Sequence, residues 1–272
     1  GRQVIALDNH SFVGHVGWRQ DRQTFDGVTA TYALNEKVNF FYGYLTQRNR
    51  IFAEAADFDS KDHLFNASFK TAVGKFTAYG YLLEIDNDTD NALDTYGIRY
   101  NGSMKGETVN WAYGAEFATQ SSESGSGDTA TDYDASYINA NLAATFSGIT
   151  AKIDYELLGS DDGAYGFATP LATLHKFNGW TDQFLGTPAQ GLQDITFSVS
   201  GKLAGGKWLL AYHDFSADEA TAEVDDLGSE INVQYVTKVI DNVTLAVKYG
   251  SYSAGDTKVD ANKLWMWAST RF

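Results

Sequence analysis

Cysteine is absent from this 272-residue chain, and proline occurs only twice. The first absence excludes a disulfide framework and thiolate metal sites. Long hydrophobic runs are missing too. The stretch from Val38 to Leu45, interrupted by Asn39 and Gly43, falls far short of the ~20 apolar residues a membrane helix requires. Positive charge is scarce, with 20 Lys and Arg against 35 Asp and Glu and a formal net charge of -15. That balance argues against nucleic acid as a partner, because phosphate binding needs clustered Lys and Arg. No signal-peptide pattern opens the chain and Gly1 follows no Met, so it reads as mature or trimmed.

Aromatic residues are plentiful: 17 Phe, 16 Tyr and 6 Trp. Tyr and Trp suit membrane interfaces, where an apolar ring and a polar tip are both accommodated. The mean hydropathy of -0.30 fits a soluble protein at first sight. It fits a membrane β-barrel equally well, since lipid-facing and lumen-facing residues alternate along every strand.

Period-two alternation recurs from end to end. Tyr96, Ile98 and Tyr100 alternate with Thr95, Gly97 and Arg99; Val109, Trp111, Tyr113, Ala115 and Phe117 alternate with Asn110, Ala112, Gly114 and Glu116. Ile149 to Leu157 repeats the pattern against Thr150, Lys152, Asp154 and Glu156, and it returns near Phe197 and Val247. A strand places i and i+2 on one face, so each segment has one apolar and one wet side. Short turns near Asn35, Gly74, Gly106, Gly148, Gly205 and Asn242 alternate with longer polar connections at 48–61, 86–94, 120–133, 159–192, 217–227 and 254–260. A soluble sandwich or propeller requires no such alternation, whereas an outer-membrane barrel does. The expected fold is therefore all-β: a transmembrane antiparallel up-and-down β-barrel of about fourteen strands, the first over residues 2–7, in a single domain. A barrel so wide is not filled by its own side chains. The last strand carries Leu264, Met266, Ala268, Thr270 and Phe272 on its outward face, matching the terminal aromatic signal of outer-membrane barrels.

The charge is unevenly placed. The long connections, with Asp62 and Asp134 added at their ends, hold 22 of the 35 acids and 5 of the 20 bases, leaving 13 and 15 for the strands and turns. Alternation points Lys70, Arg99, Lys152, Lys202, Lys238 and Lys248 inward, together with Glu84, Glu116, Asp154, Glu156 and Glu230. A lipid-facing Arg or Lys at mid-membrane would cost ~2–4 kcal/mol. Such a lining either keeps a lumen hydrated or attracts an anionic solute. Near the start, Arg2, Arg19, Arg22 and Asp26 either recognise acidic sugars, to which Arg offers bidentate bonds, or pin a loop to the rim through Arg–Asp pairs.

Two stretches resemble the alginate export family of outer-membrane porins. One runs from Gly1-Arg-Gln-Val-Ile-Ala-Leu-Asp-Asn9 through Phe12-Val-Gly14 and Trp18-Arg-Gln20 to Gln23-Thr-Phe-Asp26. The other is Leu174-His-Lys-Phe-Asn-Gly-Trp-Thr-Asp-Gln-Phe-Leu-Gly-Thr-Pro188 with Gly191-Leu-Gln-Asp194. The resemblance implies a monomeric barrel of about eighteen strands with an electropositive lumen gated by loops. It also implies that Arg2, Arg19 and Asp26 line or brace the pore. Family members carry strands upstream of the Gly-Arg-Gln motif, with which this chain begins.

The 159–192 connection exceeds the ~12–15 residues of an ordinary loop. Its Leu171, Leu174, Phe177, Trp180 and Phe184 form a partly helical apolar stripe, suited to plugging the barrel mouth or covering the rim. No catalytic fingerprint occurs, and His10, His15, His63, His175 and His213 are scattered. The nearest nucleophile pairing is Ser60 with His63, a spacing common by chance, so an enzyme is not expected. Asp86, Asp88 and Asp90 mimic part of a calcium loop, but Asn91 and Gly97 stand where an EF-hand needs Gly and Glu. No cofactor or dedicated metal site is expected; weak Ca²⁺ binding at the acidic loops, bridging lipopolysaccharide, is a secondary expectation.

Together these readings describe a bacterial outer-membrane channel for passive movement of a polar, anionic carbohydrate or small solute, embedded in lipid and lipopolysaccharide. The expected pore residues are Arg99, Lys70, Lys152 and Lys248, with Glu116 and Asp154, and Arg2 and Arg19 near the constriction. A non-selective porin and a purely structural or adhesive barrel are the alternatives.

Overall fold

The computed structural model describes residues 1–52 and 54–270; the terminal Phe272 of the outward row lies outside the described residues. Residues with period-two apolarity become long strands because each can bury backbone in the ladder and sort its side chains by face. The strands are β1 (Arg2–Gln3), β2 (Thr24–Ala33), β3 (Val38–Asn49), β4 (Phe58–Lys70), β5 (Gly74–Leu83), β6 (Asn91–Lys105), β7 (Val109–Ser124), β8 (Thr131–Phe146) and β9 (Ile149–Leu158). A small ribbon of β10 (Ser160–Asp161) and β11 (Tyr165–Gly166) follows. The series resumes with β12 (Leu192–Leu203), β13 (Gly206–Ser216), β14 (Asp226–Ile240), β15 (Val243–Ser253) and β16 (Ala261–Thr270). All but the ribbon form one fourteen-stranded antiparallel meander, each strand beside its neighbour in sequence.

Short turns at 34–37, 71–73, 106–108, 147–148, 204–205 and 241–242 alternate with the larger connections. Several of those connections are tighter than expected. β7 and β8 stay paired out to Ser124 and Thr131, so the polar stretch from Gln120 is mostly ladder rather than loop. Polar residues satisfy both faces of a hairpin that stands clear of the membrane, and alternation then carries no signal there.

The two faces differ as the alternation requires. Ile98, Phe117, Phe197, Ile231 and Met266 are exposed at 53%, 49%, 53%, 47% and 76% on the outer face. A belt of His63, Phe65, Tyr42 and Tyr44 lies on the same face of β3 and β4, with Tyr42 and His63 joined at 2.9 Å. This apolar outer face suits lipid, and Phe197→Arg is expected to cost about 2–4 kcal/mol if the residue sits near mid-membrane. Denaturant titration of folding into lipid vesicles, with Ser198→Arg on the opposite face as control, measures the difference.

The inner face is not uniformly polar. At the end carrying the long connections, Phe25, Leu45, Leu64, Tyr137, Leu192 and Phe215 point inward and are all but fully buried. They pack on Ile5, Phe12 and Val13 from residues 4–23 and on Phe167, Leu171 and Phe184 from the 159–191 connection. β1 therefore ends at Gln3 rather than running to residue 7: the chain leaves the sheet to cross the interior. Asp8 touches Asn66 and Lys75 on β4 and β5, while Trp18 reaches Trp265 on β16. One segment of chain spans from near the start of the sheet to its last strand, so the sheet curls around it.

Candidate conduit and the loop that occupies it

Beside this packed region the inner face encloses a cavity of about 440 Å³. Its wall brings together Arg99 and Asn101 from β6, Asn139 and Asn141 from β8, Lys152, Asp154 and Glu156 from β9, Asp194, Thr196 and Ser198 from β12, and His213 from β13. The residues alternate along each strand and align across the ladder: Asn139 opposes Glu156 and Glu156 opposes Asp194. Asn9, Lys176, Phe177, Asn178 and Trp180 close the remaining side.

Most of these charges are already partnered. Arg99 lies 3.5 Å from Glu116 and donates to Asn9 at 2.6 Å, while Glu116 accepts from Tyr79 at 2.8 Å. Lys152 pairs with Asp154 within its own strand. Glu156 accepts from Tyr137 and from Asn178 at 2.7 Å, and Asp194 is bound by Thr196 and His213. Burying so many ionised groups is tolerable only when each is paired and hydrogen-bonded.

The wall's acids hold the 159–191 connection. Glu230 on β14, 1% exposed, accepts from the backbone amides of Trp180 at 2.5 Å and Thr181 at 2.9 Å, and from the Thr181 hydroxyl at 2.5 Å. Gly179 makes the approach feasible. Its φ is +85°, and a Cβ there would lie 2.5 Å from Glu230 Oε2. Gln120 on β7 fixes the other limb, donating to the Ala168 carbonyl and accepting from its amide. Of the apolar stripe, Leu171 and Phe184 are buried and Leu174, Phe177 and Trp180 half-buried, and it is not helical: one 3₁₀ turn, Leu174–Lys176, is all that forms. Turn geometry leaves the Trp180 and Thr181 amides free for the Glu230 carboxylate, where a helix would have consumed them internally.

A second cluster lies under the same loop. Lys248 on β15, 8% exposed, donates to Nε2 of His175 at 2.9 Å, and Nδ1 of His175 meets Asp182 at 2.5 Å. Lys263 on β16 holds the other Asp182 oxygen at 3.1 Å. Trp18 stacks on His175 at 3.9 Å, and the Lys248 ammonium lies 3.9 Å from the Trp180 ring centre and 5.6 Å from Trp18 and Trp265. Burial lowers the His175 pKa below the ordinary histidine value, opposed by Asp182 and helped by Lys248. Burial works against the Asp182 carboxylate, but its bonds to His175 and Lys263 outweigh that and hold its pKa low.

Of the sequence-derived residues, Arg99, Lys152 and Asp154 line the cavity, and Glu116 sits directly behind Arg99. Lys248 lies beneath the loop rather than in the cavity. Lys70 faces inward at the turn end of β4, opposite Lys75, and is exposed. Arg2 and Asp26 do not reach the cavity: they pair at 3.0 Å on the exposed face opposite buried Phe25. Arg19 and Arg22 are exposed and form no ion pair among the described residues, so of the expected Arg–Asp pairs Arg2–Asp26 forms, while Arg19 covers Trp18 at 4.6 Å. Glu84 is a correction. It continues the outward parity of β5 past Leu83 and pairs there with Lys61, as does Asp86. Ser60 and His63 fall on opposite faces of β4, so they do not form a nucleophile pair. No cluster of three metal-ligating side chains occurs among the described residues.

Sequence reasoning missed Asn9, Asn178, Asp194 and the His175–Asp182 pair. Asp194 carried a signal, being in phase with Thr196 and Ser198 on the wet side of β12. The loop residues carried none, because a loop has no period.

No family model matches the chain, and no curated protein matches it in sequence. Solved structures do resemble it in shape. OccAB1 of Acinetobacter baumannii superposes with a TM-score of 0.74 at 15% identity, covering 99% of this chain and 72% of that one. OccD3 (OpdP) of Pseudomonas aeruginosa gives 0.74 at 11%, covering 100% and 74%. The outer membrane protein opdK of the same organism gives 0.73 at 10%, covering 99% and 75%. The fold is accordingly that of an outer-membrane β-barrel.

Proposed function

We propose that the chain forms the wall of an outer-membrane channel through which small polar solutes pass passively, with acidic saccharides of the alginate type as its preferred cargo. The carrying observation is the pairing of the wall's acids. Glu156, Asp194 and Glu230 are occupied by the loop and by His213, while Lys152, although paired with Asp154, keeps 39% of its side-chain exposure, and Lys176, bound to the neutral Asn9 carbonyl, remains exposed beside the cavity. Cations left accessible in a narrow, low-dielectric lumen concentrate anions there. Asn101, Asn139, Asn141 and Ser198 add neutral hydrogen-bonding groups suited to hydroxyls. Architecture like that of OccAB1, OccD3 and the outer membrane protein opdK supports the outer-membrane barrel in this reading.

Reversal potentials in a salt gradient test it. The protein should pass anions more readily than cations, and uronate oligomers should reduce the current. Lys152→Glu combined with Lys176→Glu should move the reversal potential toward cation selectivity. A potential already on the cation side in the unsubstituted protein removes the anionic cargo, and an absence of current steps removes the channel.

A further inference from the structure

The chain Asp182–His175–Lys248 ties together three parts of the molecule that are distant in sequence. His175 and Asp182 belong to the 159–191 loop, Lys248 and Lys263 to the last two strands, and the stacked Trp18 to the segment that crosses the interior. Its bonds specify a protonation state. An ionised carboxylate only accepts and an ammonium only donates, so both contacts of His175 require the neutral ring with its proton on Nδ1. A second proton would go to Nε2, the atom that accepts from Lys248. The contact would then oppose two donors and two positive charges at 2.9 Å.

We propose that this chain is a proton-operated latch, in which protonation of His175 detaches residues 173–183 from β15 and β16 and opens the lumen. The groups around the ring favour that response. Among the described residues, Asp182 from the same loop is the one anion bonded to it. Lys248 from β15 donates to it directly, Lys263 from β16 shares its Asp182, and Arg19 covers Trp18 from the crossing segment. Glu230 from β14 is engaged by the Trp180 and Thr181 amides. Burial adds to the cost of a second charge on the imidazole. The docked loop thus binds fewer protons at His175 than the released loop. Docking is at full strength above the ordinary histidine range and weakens as pH falls through it, by up to about tenfold per pH unit, until the docked ring itself takes the proton.

The inference rests on the channel reading only for its effect on passage, so two readouts are needed. Single-channel recordings between pH 7 and pH 5 should show the open fraction rising in acid. Amide-exchange protection of residues 173–183, corrected for intrinsic rates, should fall over the same range. His175→Gln, whose amide can donate to Asp182 and accept from Lys248 without titrating, should flatten both responses. Lys248→Met, which removes the charge opposing the second proton, should shrink the pH response of both readouts, and Asp182→Asn, which removes the anion favouring that proton, should enlarge it. Acid-induced loss of protection without current steps would keep the latch and overturn the channel. Unchanged protection in the unsubstituted protein, or a full pH response in His175→Gln, would overturn the latch.

Discussion

Replacing Glu230 by alanine is expected to free the middle of the 159–191 loop and raise the current through an open channel. Three donors lose the carboxylate together, the amides of Trp180 and Thr181 and the Thr181 hydroxyl, and the Trp180 amide keeps a longer bond to Asn232 Oδ1 at 3.3 Å. Hydrogen bonds to a charged group contribute about 1.5–3 kcal/mol each, and donors shared by one carboxylate do not add fully. Loop docking should therefore weaken by on the order of 3 kcal/mol, roughly a hundredfold in the docked-to-released ratio. Glu230→Gln, which retains one acceptor oxygen, should fall between the two. Single-channel conductance and amide exchange at Trp180 and Thr181 read the effect. A loop that keeps its protection in Glu230→Ala would show that its other anchors, at Gln120, Glu156, Lys248 and Lys263 and in the buried Leu171 and Phe184, hold it without Glu230.

Asp62→Ala should be the most destabilising single change in the barrel wall. Arg48 donates to both Asp62 oxygens, at 2.8 and 2.6 Å, and the two side chains retain 5% and 0% of their exposure. The guanidinium cannot shed its proton, so removing the carboxylate strands a buried cation. It also leaves the Glu84 amide without its acceptor at 3.1 Å. Loss of one partner of a buried pair costs on the order of 3–5 kcal/mol. Unfolding midpoints in denaturant measure this. Arg48→Met placed on top of Asp62→Ala should recover most of the loss, since the cost lies in the unpaired charge and not in an absent attraction.

Wall and contents were unequally legible beforehand. Strand number, turn alternation and the facing of Arg99, Lys152, Asp154 and Ile98 follow from period two, because each residue's face depends on its immediate neighbours and on lipid versus water. Glu84 kept the rule, continuing the outward row of Phe76 and Ala78 past Leu83; its inward expectation came from its charge, which a strand end clear of the hydrocarbon tolerates on the outer face. Arg2 and Asp26 were placed by motif and not by phase. Opposite buried Phe25 on the same strand, Asp26 had to face away from the interior.

The amino-acid sequence by itself determined the curled sheet, its apolar exterior and the charge content of its interior. Alternating transfer free energy along a strand is a local property, and no partner need be known to read it. Tertiary structure alone decided which interior charges remain accessible. Glu156, Asp194 and Glu230 became anchors, and Lys248 was covered, when residues 4–23 and 159–191 folded inward. Those contacts join positions far apart in the chain, 167 residues for Asn9 and Lys176 and more for Trp18 and Trp265. Closing such distances depends on what the whole barrel encloses, which no short window of sequence encodes.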